Sequence, residues 1–344
     1  MTPARLGQAP PETGRTAGPP RPSRRFDRAT LLADFGPLAA LVLLCALFAV
    51  LSPQFATWGN VRNLLDSAAV LAVIAVGLTF VLLLGAIDLS IEGVMATAAL
   101  SVALLVANSR NDIDLGLLGV VAAVALGACF GLASGMLSTG LKIPSFMTTL
   151  GISAIGIGIA TVLFGGMQPT LRSPELAEWA AGQWFGLTRL TYVALAVVVI
   201  GLLVQRYTRL GRYARAIGGA EELALLSGIP VRRYKTLAFT FAGAAYGLAG
   251  VMVTVQLGSG IVQAGVGQNF AAITAAVVGG TLLSGGRGGV LQSIVGVLIV
   301  TVLANGLVLI GVSPYVQRAV QGVIVVVAVV ITAWPLRRRL RVVK

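Results

Sequence analysis

Two carboxylates one helical turn apart, Asp88 and Glu92 in "LLLGAIDLSIEG", interrupt long apolar runs. An ionised carboxylate is costly to take out of water, so within a membrane it faces a cavity, a partner or the interface. Two readings stand for Asp88 and the adjoining Ser90: a pathway or gate position, or a solvated turn near the cytoplasmic end. Arg287, in "VVGGTLLSGGRGGVL", falls on the same side, and the expectation is that it pairs with Asp88 or shares a gating region with it. Gln256, Gln268, Asn269 and Asn305 add hydrogen-bonding groups along a polar path; for Asn305, bonding between helices is the stronger reading.

What the chain lacks narrows its chemistry. It has no histidine, the commonest metal ligand and the usual proton shuttle near neutral pH. Cys45 and Cys129 both lie inside apolar runs and are expected to pack as small hydrophobes. No nucleophile stands beside a plausible base, so neither hydrolysis nor a bound cofactor is expected. The two Gly-interrupted stretches "LLLGAIDLS" and "VVGGTLLSGG" faintly resemble each other, as in transporters built from repeats.

A second stretch calls for mechanical work. "GRYARAIGGAEELALLSGIPVRRYK", residues 211–235, is polar and basic between two apolar runs. Gly218 and Gly219 end what precedes, Glu221 and Glu222 fall in a first helical turn where acids favour the dipole, and Gly228 with Pro230 closes the helix. Leu223, Leu226 and Ala220 share an apolar face that wants a partner. Topological anchoring by Arg206, Arg209, Arg212, Arg215, Arg232, Arg233 and Lys235 would explain the basic residues alone. The capped acidic helix between them is better explained as a rigid knob through which a soluble protein moves the membrane bundle.

The elements that must carry these residues are membrane helices. Of 344 residues 57% are hydrophobic and 11% charged, and the mean hydropathy is +0.92. The net charge of +13 does not point to nucleic acid, because Lys and Arg sit at the ends of apolar runs and aromatics make up only 6%. Since only a helix or closed barrel satisfies its backbone in hydrocarbon, the fold class is an all-α integral membrane protein. Apolar runs near 36–52, 67–87, 91–108, 115–138, 145–166, 190–205, 236–258, 271–284, 289–311 and 316–334 predict about ten transmembrane helices, eight to ten if a short one is re-entrant. Positive charge then assigns Lys142, the 206–235 loop, Arg287 and the tail "RRRLRVVK" to the cytoplasm, with both termini inside. Residues 1–33 read as a disordered basic, Pro-rich tail, 34–335 as the membrane domain and 336–344 as a basic tail. "SRRFDR" imitates a twin-arginine signal, but is read as an anchor of a retained first helix. The loop holding Trp179, Trp184 and Phe185 suits an aromatic belt or an external docking surface.

The 211–235 stretch resembles the coupling loop of ribose-type permeases of bacterial ABC importers, in which Gly-Arg, Ala-Ile-Gly-Gly, the Glu pair and Ser-Gly-Ile recur. The likeness extends to "VGLTFVLLLGAIDLSIEGVMA", "KIPSFMTTLGI", "VVGGTLLSGGRGGVLQSIVG" and "NGLVLIGVSPYVQRAVQGVIVVVAV", covering roughly residues 50 to 335. The resemblance implies a permease for a monosaccharide or similar small polar solute, paired with a second permease copy, two cytoplasmic ABC ATPases and an external substrate-binding protein. ATP and Mg would be used by the ATPase, in keeping with the lack of a "GxxxxGK[ST]" stretch here. It assigns Gly211, Arg212, Gly218, Gly219, Glu221, Glu222, Leu223, Leu226, Ser227 and Gly228 to ATPase coupling. This chain departs from the family at Ala86 and Glu92, and has Asn269 and Ala271 where an acidic pair is common. A stand-alone secondary transporter is the alternative, although such a protein usually carries ion-coordinating groups at the midplane.

Overall fold

The computed structural model describes residues 28–313 together with 316, 319, 322 and 323. The expectations for most of the N-terminal tail, the C-terminal tail and the tenth apolar segment lie outside the described residues. Twelve α-helices are present among those described. The first, α1 (Arg28–Leu51), starts inside the stretch assigned to the tail. It is followed by α2 (Trp58–Leu83), α3 (Ile91–Leu105), α4 (Leu117–Gly140) and α5 (Ser145–Phe164). Next come a short α6 (Pro174–Ala181), a two-stranded hairpin of β1 (Gln183–Trp184) and β2 (Leu187–Thr188), and α7 (Arg189–Tyr207). The 206–235 region holds α8 (Arg209–Gly219), α9 (Glu221–Leu226) and the start of α10 (Val231–Leu257). A 3-10 turn (Val262–Gly265), α11 (Gln268–Val278) and α12 (Val290–Leu309) complete the order.

Six of these helices, α2, α4, α5, α7, α10 and α12, are long and apolar enough to cross a membrane. The centre is built from α2 and α10, most of whose apolar length is buried, while α4, α5 and α7 turn most of theirs outward. Close approach of α4 to α10 follows from small residues: Gly127 and Gly131 abut Gly243 and Gly247, leaving no room for a side chain.

Helices α3 and α11 are too short. At 1.5 Å per residue they reach only about 22 and 16 Å, against a hydrocarbon core of about 30 Å. Each is preceded by backbone outside any α-helix. Residues 84–90 precede α3, and 258–267 precede α11. Such backbone survives at membrane depth only if protein satisfies its polar groups. For 84–90 and the first turn of α3 the partners are hydroxyls spaced four residues apart on α5: Ile87 N–H donates to Ser145 Oγ (3.0 Å), Leu89 N–H to Thr149 Oγ1 (2.9 Å) and Gly93 N–H to Ser153 Oγ (3.2 Å).

The polar loops separate to two ends. At one, Arg110 donates to the carbonyls of Leu163 and Phe164 (both 2.7 Å), and Thr170 bridges to Ser259. The same end carries α6 and the hairpin, with the Arg189 guanidinium 5.8 Å from the Trp179 ring centre and 5.5 Å from that of Trp184. Asp66 fixes the hairpin to α2 by accepting from the hydroxyls of Thr188 and Thr191 (2.6 Å each). The opposite end gathers Lys142, α8, α9 and the turn carrying Arg287.

Candidate functional site

The structure joins the 206–235 region to two of the interruptions through backbone. Helix α2 ends at Gly85 (φ +74°), with Gly85 N–H donating to Leu82 O (2.8 Å) and Ala86 N–H to Val81 O (3.2 Å). Helix α11 ends the same way at Gly280 (φ +104°), where Gly280 N–H reaches Val277 O (3.0 Å) and Thr281 N–H reaches Ala276 O (2.8 Å). In both, a left-handed glycine satisfies the last carbonyls of a helix. The two ends then meet: Gly286 N–H donates to Leu83 O at 3.0 Å.

Into this meeting point packs the last turn of α8. A β-carbon on Gly218 would overlap the Leu83 carbonyl oxygen and lie 2.7 Å from Gly286 N; one on Gly285 would lie 2.6 Å from Gly85 N. Gly85, Gly218, Gly285 and Gly286 thus form a seat with no side chain in it. Two further bonds clamp the 279–289 loop to the same region. Gln205 Oε1 accepts from Val290 N–H (2.7 Å), and Arg215 donates to Gly288 O (3.5 Å). Gly211 is buried against the Gln205 backbone, whereas Arg212 is exposed.

Beyond the seat, the chain breaks at Ala220 and forms α9, one and a half turns long. Glu221 and Glu222 lie in its first turn, and Glu221 takes both carboxylate oxygens to Lys235 Nζ (2.7 Å each). Ser227 Oγ donates to Leu223 O (2.7 Å), and Gly228, at φ +76°, closes the helix with Ile229 N–H on Ala224 O (3.1 Å). Ala224 is the buried foot of the knob. Leu223, Leu225 and Leu226 stand 65%, 55% and 85% exposed. A cavity of about 710 Å³ opens beside it, walled by Ile87, Lys142, Ser145, Glu221, Arg232 and Lys235.

The structure separates the polar residues expected along a path. Asp88 is 1% exposed, and its Oδ1 accepts from Ser90 N–H (2.9 Å) and Ser90 Oγ (2.7 Å), fixing the entrance to α3. The Tyr246 hydroxyl is its buried neighbour, yet neither that hydroxyl nor Asp88 Oδ2 completes a hydrogen bond. Arg287 is exposed and forms no ion pair with Asp88; among the described residues the ion pair present is Lys235–Glu221. The carboxylate is buried within the bundle, whereas the guanidinium stands exposed. Asn305 exchanges amide bonds with Asn60 (3.0 and 2.9 Å), tying α2 to α12. We therefore expect Asn305→Ala to lower stability by about 0.6 to 1.7 kcal/mol, the range for such pairs in membranes, and to leave the half-saturation constant for uptake unchanged. Thermal unfolding and uptake assays check the two halves.

Sequence reading missed a second polar staple. Thr79 Oγ1 donates to Ser293 Oγ (2.7 Å), which lies 3.1 Å from Thr281 Oγ1, all three residues being buried. Thr79→Val removes the buried hydroxyl that bonds both Ala75 O (2.6 Å) and Ser293 Oγ and is expected to destabilise by about 1 to 3 kcal/mol, read as a lowered Tm in detergent. Glu92, read in the sequence as a costly carboxylate and a family departure but given no partner, accepts at Oε1 from Gly267 N–H (3.1 Å). The signal for the α5 ladder was available in the sequence: Ser145, Thr149 and Ser153 repeat at one-turn spacing on a mostly apolar helix.

Comparison with known proteins places the chain in a family. The family model described as "Branched-chain amino acid transport system / permease component" matches residues 60–329. The chain is 35% identical over 314 residues to the ribose import permease protein RbsC of Escherichia coli K12, covering 90% of this chain and 96% of the relative. It is 36% identical over 305 residues to RbsC of Bacillus subtilis (88% and 93%). It is 30% identical over 315 residues to the L-arabinose transport system permease protein AraH of Escherichia coli K12 (92% and 95%). No solved structure matches the chain. With a family match over most of its length and an apolar helical bundle to accommodate it, this chain belongs to the ABC transporter permease family of the ribose type.

Proposed function

We propose that this chain is the translocation subunit of a bacterial inner-membrane ABC importer for a monosaccharide or similar small polar solute. The observation that carries the mechanism is the glycine seat, where α8 touches the turns ending α2 and α11 without an intervening side chain. The solute class follows the printed names of the ribose and L-arabinose relatives. In this reading the protein has about ten transmembrane helices, with both termini and α9 in the cytoplasm. It works with a second permease copy, an ABC ATPase that uses ATP and Mg, and an external binding protein.

The exposed leucines of α9 seat in the ATPase. Closure of the ATPase pair on ATP displaces α9, and α8 carries the displacement to Gly85 and to Gly285 and Gly286. The 84–90 and 279–289 segments then shift together, moving the bundle between two access states. Energy enters only as a difference in ATPase affinity for those states. Asp88, Ser90 and Asn269 contribute at the interrupted helices, and Arg287 at the cytoplasmic turn.

The test is uptake of labelled ribose and L-arabinose into proteoliposomes containing the permease, its ATPase and its binding protein. Uptake requiring both ATP and the ATPase is expected. Uptake sustained by a proton gradient with the permease alone would replace this reading with a secondary transporter.

A further inference from the structure

The carboxylate of Glu92 sits where the two short helices begin. Gly93 bonds to Ser153, eight residues along α5 from Ser145, which places the start of α3 about 12 Å inside the bundle from the α9 end. Helix α11 runs eleven residues to its end near the same face, which places Gln268 about 16 Å inside. The two helical starts therefore meet at similar depth, joined by Glu92 Oε1 accepting from Gly267 N–H at 3.1 Å, with Gly265 packed on the Glu92 backbone. Glu92 is only half-buried, and its second oxygen carries no hydrogen bond from the described residues.

The first turn of α11 adds further acceptors. Asn269 is 9% exposed and its Oδ1 has no donor; Gln268 Oε1 is likewise buried without one. A buried acceptor lacking a donor is unfavourable, so these two amide oxygens, in the two residues that follow Gly267, call for donors from outside the chain, as the open second oxygen of Glu92 can accept one. The surrounding sequence offers no positive charge. Residues 67–109, 143–171 and 236–286, which supply α3, α5, α11 and their connections, contain no Lys or Arg.

We propose that the Glu92–Gly267 junction is a solute-contact site that accepts hydrogen bonds from a neutral, hydroxyl-rich solute and rejects anions, with Glu92 setting the charge selectivity. The proposal rests on the permease reading above and adds where the solute is contacted and which group excludes anions. Separate hydroxyls of one sugar donate to Glu92 Oε2 and to the amide oxygens of Gln268 and Asn269. A carboxylate or phosphate brings only further acceptors and meets Glu92 as a like charge.

The experiment uses the full-length permease in lipid nanodiscs, with D-ribose and D-ribonate as probes matched in size, read by saturation-transfer NMR. Wild type is expected to bind ribose and not ribonate. Glu92→Ala removes a charge-assisted hydrogen bond and is expected to weaken ribose about tenfold or more, and amide exchange at Gly267 quickens. Glu92→Gln keeps an acceptor for Gly267, so exchange there stays slow while ribonate gains binding. Glu92→Lys reverses the charge preference. Equal binding of ribose and ribonate by wild type would overturn the proposal. So would faster Gly267 exchange in Glu92→Ala with ribose affinity unchanged, which would leave Glu92 a structural clasp only. ATP-driven ribose uptake by wild type, measured in parallel with the partner subunits, tests the permease reading separately: its failure there is distinct from a loss of charge selectivity at Glu92.

Discussion

Gly218→Val is expected to cut ATP-driven uptake severely while leaving the protein in the membrane. The β-carbon alone would overlap the carbonyl oxygen of Leu83 and crowd Gly286 N. Backbone atoms cannot swing aside as a side chain does, so α8 must lift from the turns that end α2 and α11. Overpacking of this kind costs about 1 to 3 kcal/mol, and lifting also loosens the clamp from Arg215 to Gly288. In the proposed mechanism the same contact transmits the stroke, so uptake falls roughly ten- to a hundredfold or further, while ATP hydrolysis by the assembled complex continues uncoupled. Gly219→Ala is the control. A β-carbon there meets nothing within 4 Å, and near wild-type uptake is expected. Equal transport by Gly218→Val and wild type would show that force does not pass through the seat.

Much of this architecture was legible in the sequence because hydropathy and local capping are local signals. The nine apolar runs that fall on described residues all contain helices, and the Gly228 stop and Glu221–Glu222 start of α9 were readable from residue type. The seat was not. Gly85, Gly218 and Gly285 are each more than sixty residues apart, and nothing in a glycine-rich turn says which other turn it will touch. The pairing of Asp88 with Arg287 failed for a related reason. Charge count puts both near one end, but the Ser145, Thr149 and Ser153 ladder draws 84–90 up along α5 and buries Asp88 among Ser90 and Tyr246. Glu92 was visible as an oddity, but its partner Gly267 is a backbone amide, which carries no label in the sequence.

The double variant Leu223→Asp, Leu226→Asp is expected to detach the motor and leave the gate intact. Helix α9 has six residues, too few to persist alone in water. It is held in place by Ala224 beneath it, by the Glu221–Lys235 pair and by the Gly228 stop, so its outward leucines are not needed for its own folding. Burying a leucine contributes about 1.5 to 3 kcal/mol, so losing two from an ATPase groove removes about 3 to 6 kcal/mol, more than a hundredfold in affinity. The Tm of the isolated permease should hardly move, because neither side chain touches its core. Lys235→Ala supplies the contrast: it breaks a partly exposed ion pair contributing about 0.2 to 1 kcal/mol, and transport should be nearly retained. Co-purification of the ATPase with the permease, measured beside uptake, distinguishes the cases. Undiminished capture of the ATPase by the double aspartate variant would mean that α9 is not the coupling contact, and the leucines would need another partner.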